Sequence, residues 1–152
     1  MAAALVATMA SCSKSGAPKA DLKTDVDSLS YSIGLAQTQG LKAYLANTVG
    51  IDTTDMAEFI KGLNEGANAG DDKKKMAYFA GVQIGQQISQ QMMKGINYEL
   101  YGEDSTQTIS LKNFMAGFVS GVNGKTDIMT VEQAQELATK KMESIKIGRA
   151  HV

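Results

Sequence analysis

The chain has no tryptophan, one proline, one cysteine and one histidine in 152 residues, and aromatic residues make up 6% of it. One cysteine excludes an intrachain disulfide, and one histidine excludes a histidine-based metal cluster. With so few aromatic side chains, any core must be built from aliphatic residues and methionine, of which there are nine. An excess of charge is missing too. Fifteen Lys and Arg face sixteen Asp and Glu, a formal net charge of -1 at pH 7, which gives no general electrostatic case for nucleic-acid binding. The length is that of about one domain. The near absence of proline, beside long stretches rich in Ala, Gln, Lys, Met and Leu, favours helices over a β-sandwich, and fifteen glycines suggest turns or close helix crossings.

Residues 2–10 read AAALVATMA, a short apolar run ending in small residues. It falls well below the roughly 20 apolar residues that a membrane-spanning helix needs, and reads instead as the core of a signal peptide. The tetrapeptide Met9-Ala10-Ser11-Cys12 resembles a bacterial lipobox, with Met9 in place of the more usual leucine and no Lys or Arg ahead of the run. The resemblance implies lipidation at Cys12, with residues 1–11 a cleaved lipoprotein signal peptide and residues 12–21 a tether. The alternative is an incidental thiol in a leader.

From Leu22 the apolar positions Leu22, Val26, Leu29, Ile33, Ala36, Leu41 and Leu45 are spaced by three to five, which predicts one helix running to about Asn47. Asp52-Thr53-Thr54-Asp55 offers N-cap oxygens for a second helix with Met56, Phe59, Ile60 and Leu63 on its apolar face, stopping at Ala69-Gly70. A third helix is expected from Asp71-Asp72-Lys73-Lys74-Lys75 to about Lys94-Gly95, with Ala77, Ala80, Gly81, Ile84, Ile88 and Met92 inward. A loop over 95–108 then leads to a fourth helix capped by Ser110, with Leu111, Phe114, Met115, Phe118 and Val122 inward, ending at Asn123-Gly124.

The helices repeat. Tyr31-Ser-Ile-Gly34 in the first matches Tyr78-Phe-Ala-Gly81 in the third, and the second and fourth share Phe-x-x-Gly-x-x-x-Gly-x-Asn: Phe59, Gly62, Gly66 and Asn68 against Phe114, Gly117, Gly121 and Asn123. This is a duplicated helical hairpin, each copy unable to cover its own apolar face alone. Gly-x-x-x-Gly puts two side-chain-free positions on one face, where another backbone can approach; Lys61, Asn64 and Glu65 point to tight crossing in a bundle rather than a membrane dimer. Tyr31, Gly34, Phe59, Gly62, Gly66, Tyr78, Gly81, Phe114, Gly117 and Gly121 are therefore the expected helix-packing and dimer-interface residues. The methionines, including Met92-Met93, are read first as core filling and second as an adaptable surface for unfolded chains.

A fifth helix begins at Thr130, where Thr130-Val131-Glu132-Gln133 has the form of a capping box, and Val131, Ala134, Ala138, Met142 and Ile145 form its apolar stripe. It runs straight into Ile147-Gly-Arg-Ala-His-Val152. That hexapeptide resembles translated sequencing adapter, so residues 147–152 are expected to be a non-native tail and His151 an artefact; the alternative is a genuine short C-terminus.

Leu29-Ser-Tyr31-Ser-Ile-Gly34 at the head of a helix, the Phe-x-x-Gly helices and the closing long helix resemble the N-terminal domain of FKBP-type peptidyl-prolyl isomerases of the macrophage infectivity potentiator kind. The resemblance covers roughly residues 22–146. It implies an all-α fold, a duplicated helical hairpin followed by a long C-terminal stalk helix, with residues 22–128 as the helical dimerisation domain and 129–146 as the start of the stalk. It also implies a homodimer, unfolded or proline-containing polypeptide clients, and a place in the bacterial envelope, in the periplasm and held to a membrane through a lipid anchor only. The isomerase domain of that family is a β-sheet wrapped on a helix, and no segment here has that pattern.

Catalytic chemistry finds no footing in the residues. Proline isomerisation needs a dry pocket to lower a barrier of about 20 kcal/mol, and Tyr31, Tyr44, Tyr78, Tyr98 and Tyr101 are scattered. Ser/His/Asp catalysis lacks a credible histidine. Asp71-Asp72 and Glu103-Asp104 read as solvated caps rather than metal ligands, and Gly121–Lys125 lacks phosphate-loop spacing. The expectation is no catalytic residue, no cofactor, no metal and no nucleic-acid partner. The expected role is dimerisation and client binding for an isomerase that assists protein folding, with the fragment itself inactive; a freestanding helical lipoprotein adaptor is the alternative.

Overall fold

A computed structural model of the chain describes residues 16–151, in which every regular element is helical. Two compact units meet at Lys73/Lys74, where the sequence repeat also restarts. The leader and the lipobox with Cys12 lie outside the described residues, as does Val152.

In the first unit, Thr24 opens α1 (Asp25–Ala36) with a capping box. The Asp27 amide donates to Thr24 Oγ1 at 3.1 Å and the Thr24 amide donates to Asp27 Oδ2 at 2.9 Å, so two donors with no helical partner are satisfied reciprocally. The single helix expected as far as Asn47 is broken after Ala36. Gly40 adopts φ +77°, a left-handed conformation that closes the turn, and a short α2 (Leu41–Tyr44) follows. It passes directly into a π-helical turn (Leu45–Val49), where the Gly50 amide reaches back five residues to the Leu45 carbonyl. Leu45 is the buried residue of this segment.

Next comes α3 (Met56–Ala67), and its cap differs from the expected one. Asp55 makes no side-chain cap bond. Asp52 instead accepts from the Thr54 amide at 2.6 Å and from the Thr54 hydroxyl, an Asx turn just ahead of the helix. Asn68 and Gly70, at φ +54°, end α3 close to where the sequence placed its stop, and Ala69 is buried at that end.

The second unit is more continuous. From α4 (Lys73–Gln87) the chain passes through a π-helical turn (Ile88–Met92) into α5 (Met93–Tyr101), a single helical run that goes straight through Gly95. The expected stop at Lys94-Gly95 is therefore wrong. A glycine inside a helix costs about 1 kcal/mol, and burial of Ile88, Met93 and Leu100 outweighs it. The π-helical turn also corrects the inward face. Its extra residue moves the buried position after Ile88 from Met92 to Met93, whose amide donates to the Ile88 carbonyl; Met92 is left exposed.

The loop begins at Gly102, at φ +64°, rather than at Gly95. It is tied by Asn97, whose Nδ2 donates to Thr108 Oγ1 and whose Oδ1 accepts from the Ile109 amide, both at 2.8 Å. Ser110 caps α6 (Leu111–Val122) as expected, accepting from the Asn113 amide at 3.2 Å. The helix ends at Asn123, with Gly124 at φ +65°. Thr130 and Gln133 form the expected capping box of α7 (Val131–Ala150), with bonds of 3.2 and 2.9 Å. This last helix packs on α5, where Lys146 pairs with Glu99 and Arg149 lies over Gly102. The fold is all-α, with the repeated helices followed along the chain by a long C-terminal helix.

Candidate functional site

The two copies of Phe-x-x-Gly-x-x-x-Gly-x-Asn lie at matching positions of their helices. Both α3 and α6 are 12 residues long and both end on the asparagine of the motif, Asn68 and Asn123. Phe59 and Phe114 each occupy the fourth helical position, and Gly62/Gly66 and Gly117/Gly121 follow in the same register. On each helix the phenylalanine and the two glycines share one side, set by the i, i+3, i+7 spacing. Phe114 is half-buried and stacks on Phe118 with centroids 6.2 Å apart and planes at 18°.

Two further correspondences were not read from the sequence. Each unit carries a π-helical turn that opens on a buried aliphatic residue, Leu45 or Ile88. Each also carries an Asp-x-Thr turn ahead of its Phe helix: Asp104 accepts from the Thr106 amide at 2.9 Å and the Thr106 hydroxyl at 2.6 Å, as Asp52 does from Thr54. The signal was present as Asp52-Thr53-Thr54 and Asp104-Ser105-Thr106. Both carboxylates are held below the usual range, first by the threonine hydroxyl and then by its amide.

The glycine faces are open. A Cβ built at Gly34, Gly62, Gly66, Gly81, Gly117 or Gly121 meets no heavy atom within 4 Å beyond its own helix. The close crossing expected there is not made among the described residues of this chain, and the faces are available to another backbone. Tyr31 and Tyr78 are exposed; Tyr78 meets Phe79 edge-on at 6.0 Å and 63°. Phe59 is half-buried.

The larger apolar side chains show the same openness. On α1 no residue is buried, and Val26, Leu29 and Ile33 stand out at 69%, 59% and 52% exposure. On α6, Phe114 and Met115 are half-buried, but Leu111, Phe118 and Val122, expected inward, are exposed, Val122 at 74%. A helix with apolar residues around most of its circumference is stable only when something covers it. These faces can bury helices or extended apolar segments, and they present no convergent polar groups.

Chemistry-bearing groups are sparse. Among the described residues no three His, Cys, Asp or Glu side chains are placed to hold a metal ion. His151 Nδ1 lies 2.7 Å from the Ile147 carbonyl, a contact within its own helix end. The hollow along α7, lined by Glu132, Gln135, Glu136, Thr139, Lys140 and Glu143, is an open groove on one helix. No helix among the described residues is long and apolar enough to cross a membrane.

Comparison with known proteins gives one match. Residues 73–150, just over half of the chain, match the family model described as the domain amino terminal to FKBP-type peptidyl-prolyl isomerase. No curated protein and no solved structure matches the chain. The matched stretch begins with α4 and ends with α7, so it takes in the second copy of the repeat and the closing helix.

Proposed function

This chain belongs to the family of domains that lie amino terminal to FKBP-type peptidyl-prolyl isomerases, and we propose that it is the helical dimerisation and client-binding part of such an isomerase, assisting protein folding in the bacterial envelope. In this reading Cys12 carries the lipid that holds the chain to a membrane, the two copies of the hairpin bury their open faces against a second protomer, and α7 leads to the catalytic domain. Two catalytic domains held apart on long helices would grip a non-native chain between them, and multivalent contact would raise its effective concentration at each active site. In this reading the isomerisation itself is the work of the catalytic domain.

The observation that carries the reading is the exposure of apolar faces on helices of a family that precedes a catalytic domain. An apolar face of several large side chains left in water marks a site of association, and α1 and α6 both present one. The test is the molar mass in solution of the full chain with Cys12→Ser to prevent lipidation, followed by light scattering across micromolar concentrations. A stable mass near twice the 16.1 kDa of the monomer is expected. A monomer at every concentration would overturn the dimer and leave the adaptor role.

A further inference from the structure

The duplication leaves two helices, α1 and α4, related by sequence and opposite in charge. Aligning Tyr31 and Gly34 with Tyr78 and Gly81 makes them the same element of the two copies. On α1 the apolar positions Val26, Leu29 and Ile33 are exposed at helical spacing; on α4, Met76, Ala80 and Ile84 are exposed in the same manner. Two unpartnered faces of the same kind leave open which pairs with which, and charge decides it.

The first turn of α1 carries Asp25 and Asp27, and its last turn has no basic residue. Conversely, α4 opens on Lys73, Lys74 and Lys75, whose charges run against the positive end of their own helix dipole. Counting neighbours, residues 21–27 hold Asp21, Lys23, Asp25 and Asp27, a net charge of -2, whereas residues 71–75, with Asp71 and Asp72 included, hold +1. Pairing α1 with α1 would set aspartates beside aspartates, and α4 with α4 lysines beside lysines. Like charges placed opposite suppress a contact, and opposite charges fix partner and register.

Resting on the dimer reading above, we propose that α1 of one copy packs in parallel against α4 of a second copy, with the Asp25/Asp27 end beside the Lys73–Lys75 end. Both charged clusters lie at N-terminal ends, so only parallel helices bring them together. In the register of the repeat, Asp27 falls level with Lys74, Tyr31 with Tyr78, and Gly34 with Gly81. The contact occurs twice, because a two-fold axis that carries α1 onto α4 of the partner also carries α4 onto α1 of the partner. Its occupant is therefore a second copy of this chain.

Two charge variants in the full Cys12→Ser chain test this. The first, Asp25→Lys with Asp27→Asn, turns residues 21–27 from -2 to +1; the asparagine keeps an oxygen to accept from the Thr24 amide. The second, Lys73→Glu with Lys75→Glu, turns residues 71–75 from +1 to -3. Each variant alone sets like charges against each other at both contacts, and its dimer is expected to weaken at least about tenfold. Mixing the two makes both contacts opposite in sign, and a heterodimer at least as stable as the Cys12→Ser parent should form, read by light scattering and by mixed species in native mass spectrometry. Circular dichroism confirms that each variant is helical; if the first is not, Asp21→Lys with Asp25→Lys, which spares the capping box and turns residues 21–27 from -2 to +2, carries the same test.

A dimeric parent whose variants dimerise unchanged overturns the α1–α4 pairing and leaves the dimer reading standing. So does a pair of weakened variants that mixing fails to rescue, since a contact within one chain cannot be repaired in trans. A monomeric parent overturns both.

Discussion

The two copies of the hairpin use the same parts and reach different degrees of self-sufficiency. The second buries Ile88, Met93 and Leu100 along one uninterrupted helical run and has α7 packed beside it. The first buries Leu45 and Ala69, is broken at Gly40, and has no counterpart of α5 after its π-helical turn. Glycine alone does not account for the break. Gly81, Gly85 and Gly95 all sit within helix in the second copy, whereas Gly40 and Gly50 take positive φ in the first. A helix continues where tertiary burial rewards each added residue, and short helices without that support are marginal. Burial accompanies continuity from Ile88 onward, where Ile88, Met93 and Leu100 are buried along the run that passes Gly95, whereas α4 carries Gly81 and Gly85 with no buried residue. The difference between the copies also agrees with the family match, which spans the copy with the larger core.

The comparison breaks most directly at its buried residues. Ile88 is 1% exposed and Leu45 is 6% exposed, at the same place in the two π-helical turns. Ile88→Ala should cost about 3 kcal/mol and Leu45→Ala about 2 kcal/mol, from lost burial plus the cavity left behind. Urea unfolding followed by circular dichroism measures both. The expected outcome is a larger loss for Ile88→Ala, with α5 and α7 losing amide protection together. Equal losses would mean that the two cores are alike, and the asymmetry drawn above would fall.

Glycine substitutions sharpen the contrast with opposite signs. At Gly40, φ +77° suits glycine and strains any residue with a Cβ, so Gly40→Ala should destabilise the first copy by about 1 kcal/mol. At Gly95 the backbone is helical and a Cβ meets nothing within 4 Å. Gly95→Ala should therefore stabilise the second copy by about 0.5–1 kcal/mol. Thermal unfolding of the two variants would show Tm moving in opposite directions. A fall for Gly95→Ala would indicate that this glycine face is already covered by another backbone in solution, as in a dimer.

Much of this was legible in the residues. Caps with one dominant side chain read correctly: Ser110 and Thr130 are where the pattern put them, because each hydroxyl satisfies an amide that has no helical partner. The repeat read correctly because its spacing is fixed by helix geometry. What escaped was whatever depended on tertiary cover or on departure from regular period. A spacing of three to five could not show that α1 stops at Ala36, since Leu41 and Leu45 continue the pattern across the break at Gly40. The π-helical turn at Ile88 moved the buried position from Met92 to Met93, a shift that periodicity analysis assumes away. The apolar faces of α1 and α6 were visible as stripes, but a stripe does not say whether its cover lies within the chain. The structure adds that the glycines are open and that Val26 and Val122 are exposed among the described residues.

The smallest expected effect tests what the two copies have in common. Asp52 and Asp104 each hold an Asp-x-Thr turn, and each carboxyl lies below its ordinary value of 3.8 because a threonine hydroxyl and then its amide favour the charged form. A carboxylate with a depressed folded value lends its stabilisation above the unfolded value and loses it as pH falls through the folded one. Both turns should accordingly be intact at neutral pH, begin to weaken as the pH drops past 3.8, and be lost below the folded values. In NMR titrations the amides of Thr54 and Thr106 should shift together in that acid window, below the midpoint of an exposed aspartate such as one in a short peptide. Asp52→Asn should abolish the shift at Thr54 and leave Thr106 unchanged. Titration of both amides at the ordinary aspartate value would mean that the turns are not formed in solution, and the two copies would then share sequence at these loops without sharing structure.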